Sequence, residues 1–147
     1  MDCTFCNFIS KKKKWHDDYP KHGKDYPLIP VFENNEVFAF LSFPNFNKQI
    51  DLLVLPKKHY EFIEEIPEKL HHKMFPIVEK MAGIVRKNHG DCHILLNNGI
   101  NAEQYAPHVH FHVIPKNSKK KIIWHDLSLN QFEKLSKELI LLFQQLR

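Results

Sequence analysis

The chain has 147 residues, 43% hydrophobic and 26% charged, which is one domain's worth of sequence with enough apolar material for a core and too much for wholesale disorder. No apolar run reaches the ~18 residues of a membrane span, and residues 1–14 (MDCTFCNFISKKKK) place positive charge after a short apolar stretch, the reverse of a secretory signal. The expectation is a cytoplasmic chain with no membrane partner; its formal charge of +4 comes mostly from lysines 11–14 and 119–121, which read as solvated loop or as a phosphate- or nucleic-acid-attracting patch.

In chain order, Cys3 and Cys6 come first. Three cysteines in all, two of them three apart, point to metal or redox chemistry before a disulfide; the plainer reading is two small buried hydrophobes. Residues 10–30 are polar, hold Pro and Gly and show no apolar period, so they read as a long loop. Residues 31–41 (VFENNEVFAFL) carry Asn34-Asn35 between two apolar pieces, a hairpin pattern. Residues 51–55 (DLLVL), ended by Pro56, read as a buried strand. Pro67 and Gly90 then bracket a helix with an apolar stripe of Leu70, Met74, Ile77, Met81 and Ile84, and Pro76 is expected to kink it. Residues 94–97 (ILLN) form a strand, 98–107 a loop and 108–114 a further strand. Cys92 reads as core and His93 as buried. Phe132, Leu135, Leu139, Leu142 and Leu146 mark a C-terminal helix within about 127–147. With no repeat and no second domain, residues 1–147 read as one α+β domain: an antiparallel sheet of about five strands, one central helix and a C-terminal helix.

The stretch 108–115, HVHFHVIP, carries the chemistry. Side chains alternate along a strand, so His108, His110 and His112 share one face while Val109, Phe111 and Val113 face a core. Three readings follow. The histidines line a solvated face, a place that Lys, Thr or Glu would serve equally well. They bind a metal, although same-face neighbours about 6.5–7 Å apart make three ligands to one ion awkward. Or one imidazole is a nucleophile or base and its neighbours position it and stabilise charge.

This stretch resembles the signature of the histidine triad family. DCTFCNFI at 2–9, VFAFL at 37–41, LLVLPKKHYEFI at 52–63, and ILLNNG at 94–99 followed by Gln104 resemble other family segments in the same order, so the likeness covers about residues 2–115. The resemblance implies a HIT-like fold, a homodimer and a purine nucleotide bound with its phosphate against the triad. It implies hydrolysis or transfer of a nucleotidyl group from a phosphoramidate or dinucleoside polyphosphate. His110 would be the nucleophile that forms a covalent nucleotidyl-histidine, and His112 would assist the phosphate or the leaving group. Asn97 and Gln104 would bind substrate through their amides. Like a zinc-binding branch of the family, the chain fills four ligand positions with Cys3, Cys6, His59 and His108; a closed Cys₂His₂ site would be structural.

The chain also departs from the family's pattern. Asp51 stands where a histidine is common, Ser42 where many members carry an acid for the ribose, Tyr105 where a small hydroxyl residue touches the leaving group, and Glu103 where glycine is frequent. Ser42 and Tyr105 are taken as substrate-binding positions. Two rivals remain: a DNA-adenylate hydrolase steered by the lysine runs, and a zinc-stabilised nucleotide sensor or interaction module with little turnover. Phe8, Ile9, Phe32, Phe40 and Leu41 are candidates for a nucleobase wall.

Overall fold

Two strands with no exposed residue organise the molecule, whose computed structural model describes residues 3–10, 26–42, 51–116 and 128–146. Strand β1 (Pro30–Glu33) turns into β2 (Val37–Leu41), which pairs antiparallel with β3 (Leu52–Pro56) in the register Phe40↔Leu53. Asn34 makes the first turn: its Oδ1 accepts from the backbone N–H groups of Glu36 and Val37 at 2.8 and 2.7 Å. Helix α2 (Glu68–His89) follows β3 and leads to β4 (Cys92–Leu96), and β5 (Phe111–Pro115) inserts between β3 and β4. The result is an antiparallel five-stranded sheet of order β1-β2-β3-β5-β4, the α+β arrangement expected from the sequence.

Register assigns the two faces. Phe40 meets the rings of Phe5 and Phe8 from α1 (Thr4–Ile9), so Phe40, its partner Leu53 and Leu53's partner His112 face α1. The alternate residues Phe111 and Val113 face α2, where the Phe75 ring meets Phe111 edge-on at 6.2 Å. The histidine strand therefore turns Phe111 and Val113 toward α2 and His112 toward α1. A C-terminal helix, α3 (Leu129–Gln145), packs against β1 and α2. Its N-terminus is closed by a reciprocal pair, Gln131 N–H to Ser128 Oγ and Ser128 N–H to Gln131 Oε1.

Several sequence expectations shift in detail. The α2 stripe buries Leu70, Met74, Val78, Met81, Ile84 and Val85, leaving Ile77 half-buried, and the helix runs through Pro76, which lies on its exposed side. In α3 the buried line is Phe132, Leu135, Ser136, Leu139 and Phe143. Leu142 is half-buried and Leu146 exposed, because a four-residue step from Leu139 keeps the 3.6-residue period better than a three-residue step. His93 is exposed: β4 is an edge strand, and its middle residues have no covering layer. Cys92 is half-buried against the core. The last strand begins at Phe111, not at His108. Val109 N–H donates to the Tyr60 carbonyl and His108 N–H to the Ala106 carbonyl, both at 2.8 Å, so the backbone before Phe111 follows the turn after β3. The long loop at 10–30 lies mostly, and both lysine runs entirely, outside the described residues.

Candidate active site and metal centre

His108 is fully buried, and its ring is fixed from both sides. Nε2 lies 2.8 Å from the Pro56 carbonyl oxygen; a carbonyl only accepts, so Nε2 carries the proton and Nδ1 is left with a lone pair. That Nδ1 faces Cys3 Sγ at 3.4 Å and Cys6 Sγ at 3.5 Å, while Cys6 Sγ is also 3.5 Å from His59 Nδ1. The ligand atoms of Cys3, Cys6, His59 and His108 all lie within 4.8 Å of one another. Zn–S and Zn–N bonds of about 2.3 and 2.0–2.1 Å at a tetrahedral angle set S···N edges near 3.5 Å, so the donor set matches zinc in type, number and spacing. The hydrogen bond to Pro56 is the kind of outer contact that fixes a metal-binding imidazole. Burial, with the Cys3 thiol beside it, pushes the Cys6 thiol up to about 11. Burial likewise depresses His108 to about 4, against the Pro56 hydrogen bond and with the help of His59. Two buried sulfurs beside two neutral imidazoles offer a Cys₂His₂ donor set, which gives up its thiol protons when a dication binds.

His110 is buried too. Its Nδ1–H donates to the His108 carbonyl at 2.7 Å, which leaves Nε2 unprotonated. Burial foremost, then the neighbouring His112, lowers His110 to about 4, with the His108 carbonyl opposing. The ring is thus neutral near pH 7 and its tautomer is set. His112 stands next to it, ring centroids 4.6 Å apart, and takes a different partner: its Nδ1 is 2.8 Å from Asp51 Oδ2. The edge of Phe5 abuts both His108 and His110, at 5.8 and 5.0 Å between centroids.

The loop between β4 and β5 is tied down by its own amides. Gly99 (φ +100°) and Glu103 (φ +64°) bend it around a short 3₁₀ turn, Ile100–Ala102. Gln104, buried, accepts from Gly99 N–H at 2.5 Å and donates to the Glu61 carbonyl at 2.7 Å. Asn97 Nδ2 donates to the Glu103 carbonyl at 3.2 Å. Asn98 accepts from Ile63 N–H and donates to Glu64. Tyr105 is 77% exposed and, with Phe62, Ile100 and Pro107, lines a cleft of about 750 Å³ on the outer side of this loop. Ser42 is buried at the far end of the β2–β3 pair, where its N–H donates to the Asp51 carbonyl at 2.7 Å.

The family model for the HIT domain matches residues 25–119. The chain belongs to the HIT domain family. An uncharacterised HIT-like protein of Methanocaldococcus jannaschii is 35% identical over 115 residues, covering 78% of each chain. The adenosine 5'-monophosphoramidase of Schizosaccharomyces pombe is 29% identical over 116 residues, 79% of this chain and 75% of its own. Among solved structures, a Zn-bound histidine triad family protein from Mycobacterium smegmatis superposes with a TM-score of 0.73 at 23% identity, covering 99% and 96% of the two chains.

Within this HIT domain the sequence-derived candidates divide into three places. Cys3, Cys6, His59 and His108 gather under α1. His110 and His112 meet in front of the sheet, with Ser42 behind Asp51 at the same end of β3. Asn97, Gln104 and Tyr105 belong to the neighbouring loop. Of the nucleobase-wall candidates, Phe8, Phe40 and Leu41 are core, and Phe32 packs on Phe143 of α3 at 5.1 Å. Two contributors went unread in the sequence: Phe5 sits between the two cysteines, and Asn98 ties the loop to the 3₁₀ turn Ile63–Glu65. Asp51, marked in the sequence as a departure beside the triad, pairs with His112. An apolar ring inside Cys-x-x-Cys was the available signal for Phe5; nothing local marks Asn98.

Proposed function

We propose that this HIT domain is a nucleotide hydrolase or nucleotidyl transferase that acts on nucleoside phosphoramidates or dinucleoside polyphosphates, with His110 as nucleophile and a purine nucleotide as the bound group. The observation that carries the reading is the 2.7 Å hydrogen bond from His110 Nδ1–H to the His108 carbonyl. It leaves Nε2 as a lone-pair nitrogen on a ring held neutral by burial. Attack of Nε2 on the α-phosphorus forms a P–N bond and expels the leaving group; water then attacks the same phosphorus and returns Nε2. Splitting the displacement this way replaces one hard step by two easier ones. The monophosphoramidase activity in the name of the S. pombe relative supports this class of substrate.

Other residues take roles around that step. Gln104 and Asn97 hold the loop so that its backbone N–H groups are available to phosphate oxygens. Tyr105 and Ser42 contact the leaving group and the sugar. Zinc would be held by Cys3, Cys6, His59 and His108, where it supplies a closed cross-link between α1 and the triad, a role supported by the matching donor distances and by the Zn-bound structural neighbour. Pairing of two copies is supported by β4, an edge strand with Ile94 and Leu95 48% and 44% exposed. No helix among the described residues is long and apolar enough to cross a membrane.

The deciding experiment compares wild type and His110→Ala on a fluorogenic adenosine phosphoramidate and on a dinucleoside polyphosphate. Turnover by wild type alone supports the reading. Nucleotide binding by both proteins with turnover by neither, in protein shown to hold its metal, replaces it with the sensor reading.

A further inference from the structure

Asp51 spends its described hydrogen bonding on one imidazole. Its Oδ2 lies 2.8 Å from His112 Nδ1, its Oδ1 has no partner among the described residues, and both side chains are largely buried, 14% and 19% exposed. The sheet sets this geometry. Asp51 is the residue before β3, its carbonyl is held by Ser42 N–H, and Leu53 two positions on lies directly across from His112. The two neighbouring histidines therefore both carry a proton on Nδ1 but give it to different acceptors. His110 gives its proton to a neutral carbonyl and His112 gives its own to a carboxylate. A carbonyl fixes a neutral ring for attack. A carboxylate also stabilises the doubly protonated ring, which suits a group that must carry a proton.

We propose that Asp51 is a positioning residue that makes His112 the proton carrier to the leaving group, and that it thereby sets this enzyme up for substrates whose leaving group is a strong base, such as an amine. The inference rests on the reading of His110 as nucleophile. As His110 Nε2 forms its bond to phosphorus, the bond from phosphorus to the leaving nitrogen breaks and its electron pair stays on that nitrogen. His112 enters this step protonated on both ring nitrogens; the leaving nitrogen takes the proton from its Nε2 and departs as a neutral amine. The ring, still bonded to Asp51 through Nδ1–H, is left neutral with a lone pair on Nε2. In the second step that lone pair accepts a proton from the attacking water, the P–N bond to His110 breaks, and the starting state returns.

The test uses leaving groups of different basicity on one nucleotide. Adenosine 5'-phosphoramidates of an alkylamine need a proton to depart, whereas the p-nitrophenyl ester of AMP expels a stable anion. Asp51→Asn keeps the shape and removes the charge. Its kcat is expected to fall by about 100-fold or more on the alkylamine substrate, within the ordinary range for general acid catalysis, and by less than about fivefold on the p-nitrophenyl ester, with KM little changed on either. His112→Gln should show the same split, and the double variant should lose no more than the worse single one. Equal losses on both substrates, or none on the amine, overturn the proposal while leaving His110 as nucleophile. No turnover of either substrate by wild type removes the nucleophile reading itself. Should Asp51→Asn not fold, ¹⁵N shifts of His112 in the wild type decide: a ring protonated at Nδ1, with or without a proton on Nε2, agrees, and a ring with a bare Nδ1 overturns it.

Discussion

The ring of Phe5 meets the ring of His110 edge-on, centroids 5.0 Å apart and planes at 67°. Phe5 lies between Cys3 and Cys6 on α1, so the segment that carries two of the four proposed metal ligands also buttresses the proposed nucleophile. One aromatic side chain touches both proposed sites. Removing zinc with a chelator, or changing Cys6→Ser, should cost several kcal/mol and lower Tm by about 10 °C or more. Phe5→Leu should keep the metal, cost less than about 1.5 kcal/mol and lower kcat by roughly threefold to tenfold through a loosened His110. Metal analysis, thermal melts and kcat on the same preparations check this. Full activity in metal-free protein would separate the two functions.

If His110 is the proposed nucleophile, its loss should remove chemistry and spare binding. His110→Ala should lower kcat by at least about 1,000-fold, with AMP affinity within about threefold of wild type by calorimetry. Because burial holds the ring at about 4, below its ordinary 6.5, it stays neutral and competent down to about pH 5. The acid limb of kcat/KM should therefore not reflect His110 near pH 6.5. Acid quench of wild type in mid-turnover should trap a nucleotidyl adduct, visible by intact mass, that the variant lacks.

His89, at the end of α2, offers a stability test away from the site. Burial lowers its pKa below 6.5, Glu138 opposes this only in part, and its Nε2 has no partner among the described residues. The unfolded chain takes up the proton first as pH falls, so the folded state loses stability from about pH 6.5 downward until the buried ring is itself protonated. His89→Leu removes the penalty. Thermal melts at pH 7.5 and pH 5 should show the variant gaining on wild type at the lower pH. A constant gap between the two would mean that the ring is not held neutral by burial.

The sequence made the working face of the fold legible because its signals are local. Alternation gave the two faces of β5 over 111–113, and four ligand-type residues at Cys3, Cys6, His59 and His108 converge in space as their resemblance to a zinc-binding branch implied. What escaped depends on which residues meet across the sheet. An acid beside the triad was legible at Asp51, but that it pairs with His112 and not His110 needs the β3–β5 register, which no window of sequence contains. Gln104 and Asn97 read as amides for a substrate, yet their polar atoms meet loop backbone, because buried N–H and C=O groups of a bent loop must themselves be satisfied. The C-terminal helix slipped from Leu142 to Phe143 for a geometric reason: apolar residues crowd 139–143, and only packing selects among them.

An edge strand that exposes Ile94 and Leu95 is a template for a second copy. Wild type should sediment as a dimer at micromolar concentration. Ile94→Lys with Leu95→Glu should shift it to monomer without loss of the fold, since neither residue is in the buried core. A wild type that sediments as a monomer throughout would return β4 to the status of an ordinary exposed edge.

Glu103 combines backbone strain with charge in the loop proposed to meet phosphate. It holds φ at +64°, the one non-glycine residue with positive φ among those described, and its side chain is exposed. A left-handed conformation costs a non-glycine residue about 1–2 kcal/mol, against which glycine's extra chain entropy takes back about 0.5–1. Glu103→Gly should therefore stabilise by roughly 0.5–1 kcal/mol, a rise of about 1–4 °C in Tm. The bond from Asn97 is made to the Glu103 backbone carbonyl, so it survives the change. Removing the carboxylate should also tighten binding of a nucleoside monophosphate a few-fold at low salt and less at high salt. Glu103→Gln separates the two effects: it removes the charge and keeps the strain, so affinity should rise while Tm does not. Calorimetry at two salt concentrations and a thermal melt read both. If Gln and Gly variants bind no better than wild type, the side chain points away from the anion and only the backbone of this loop meets the phosphate.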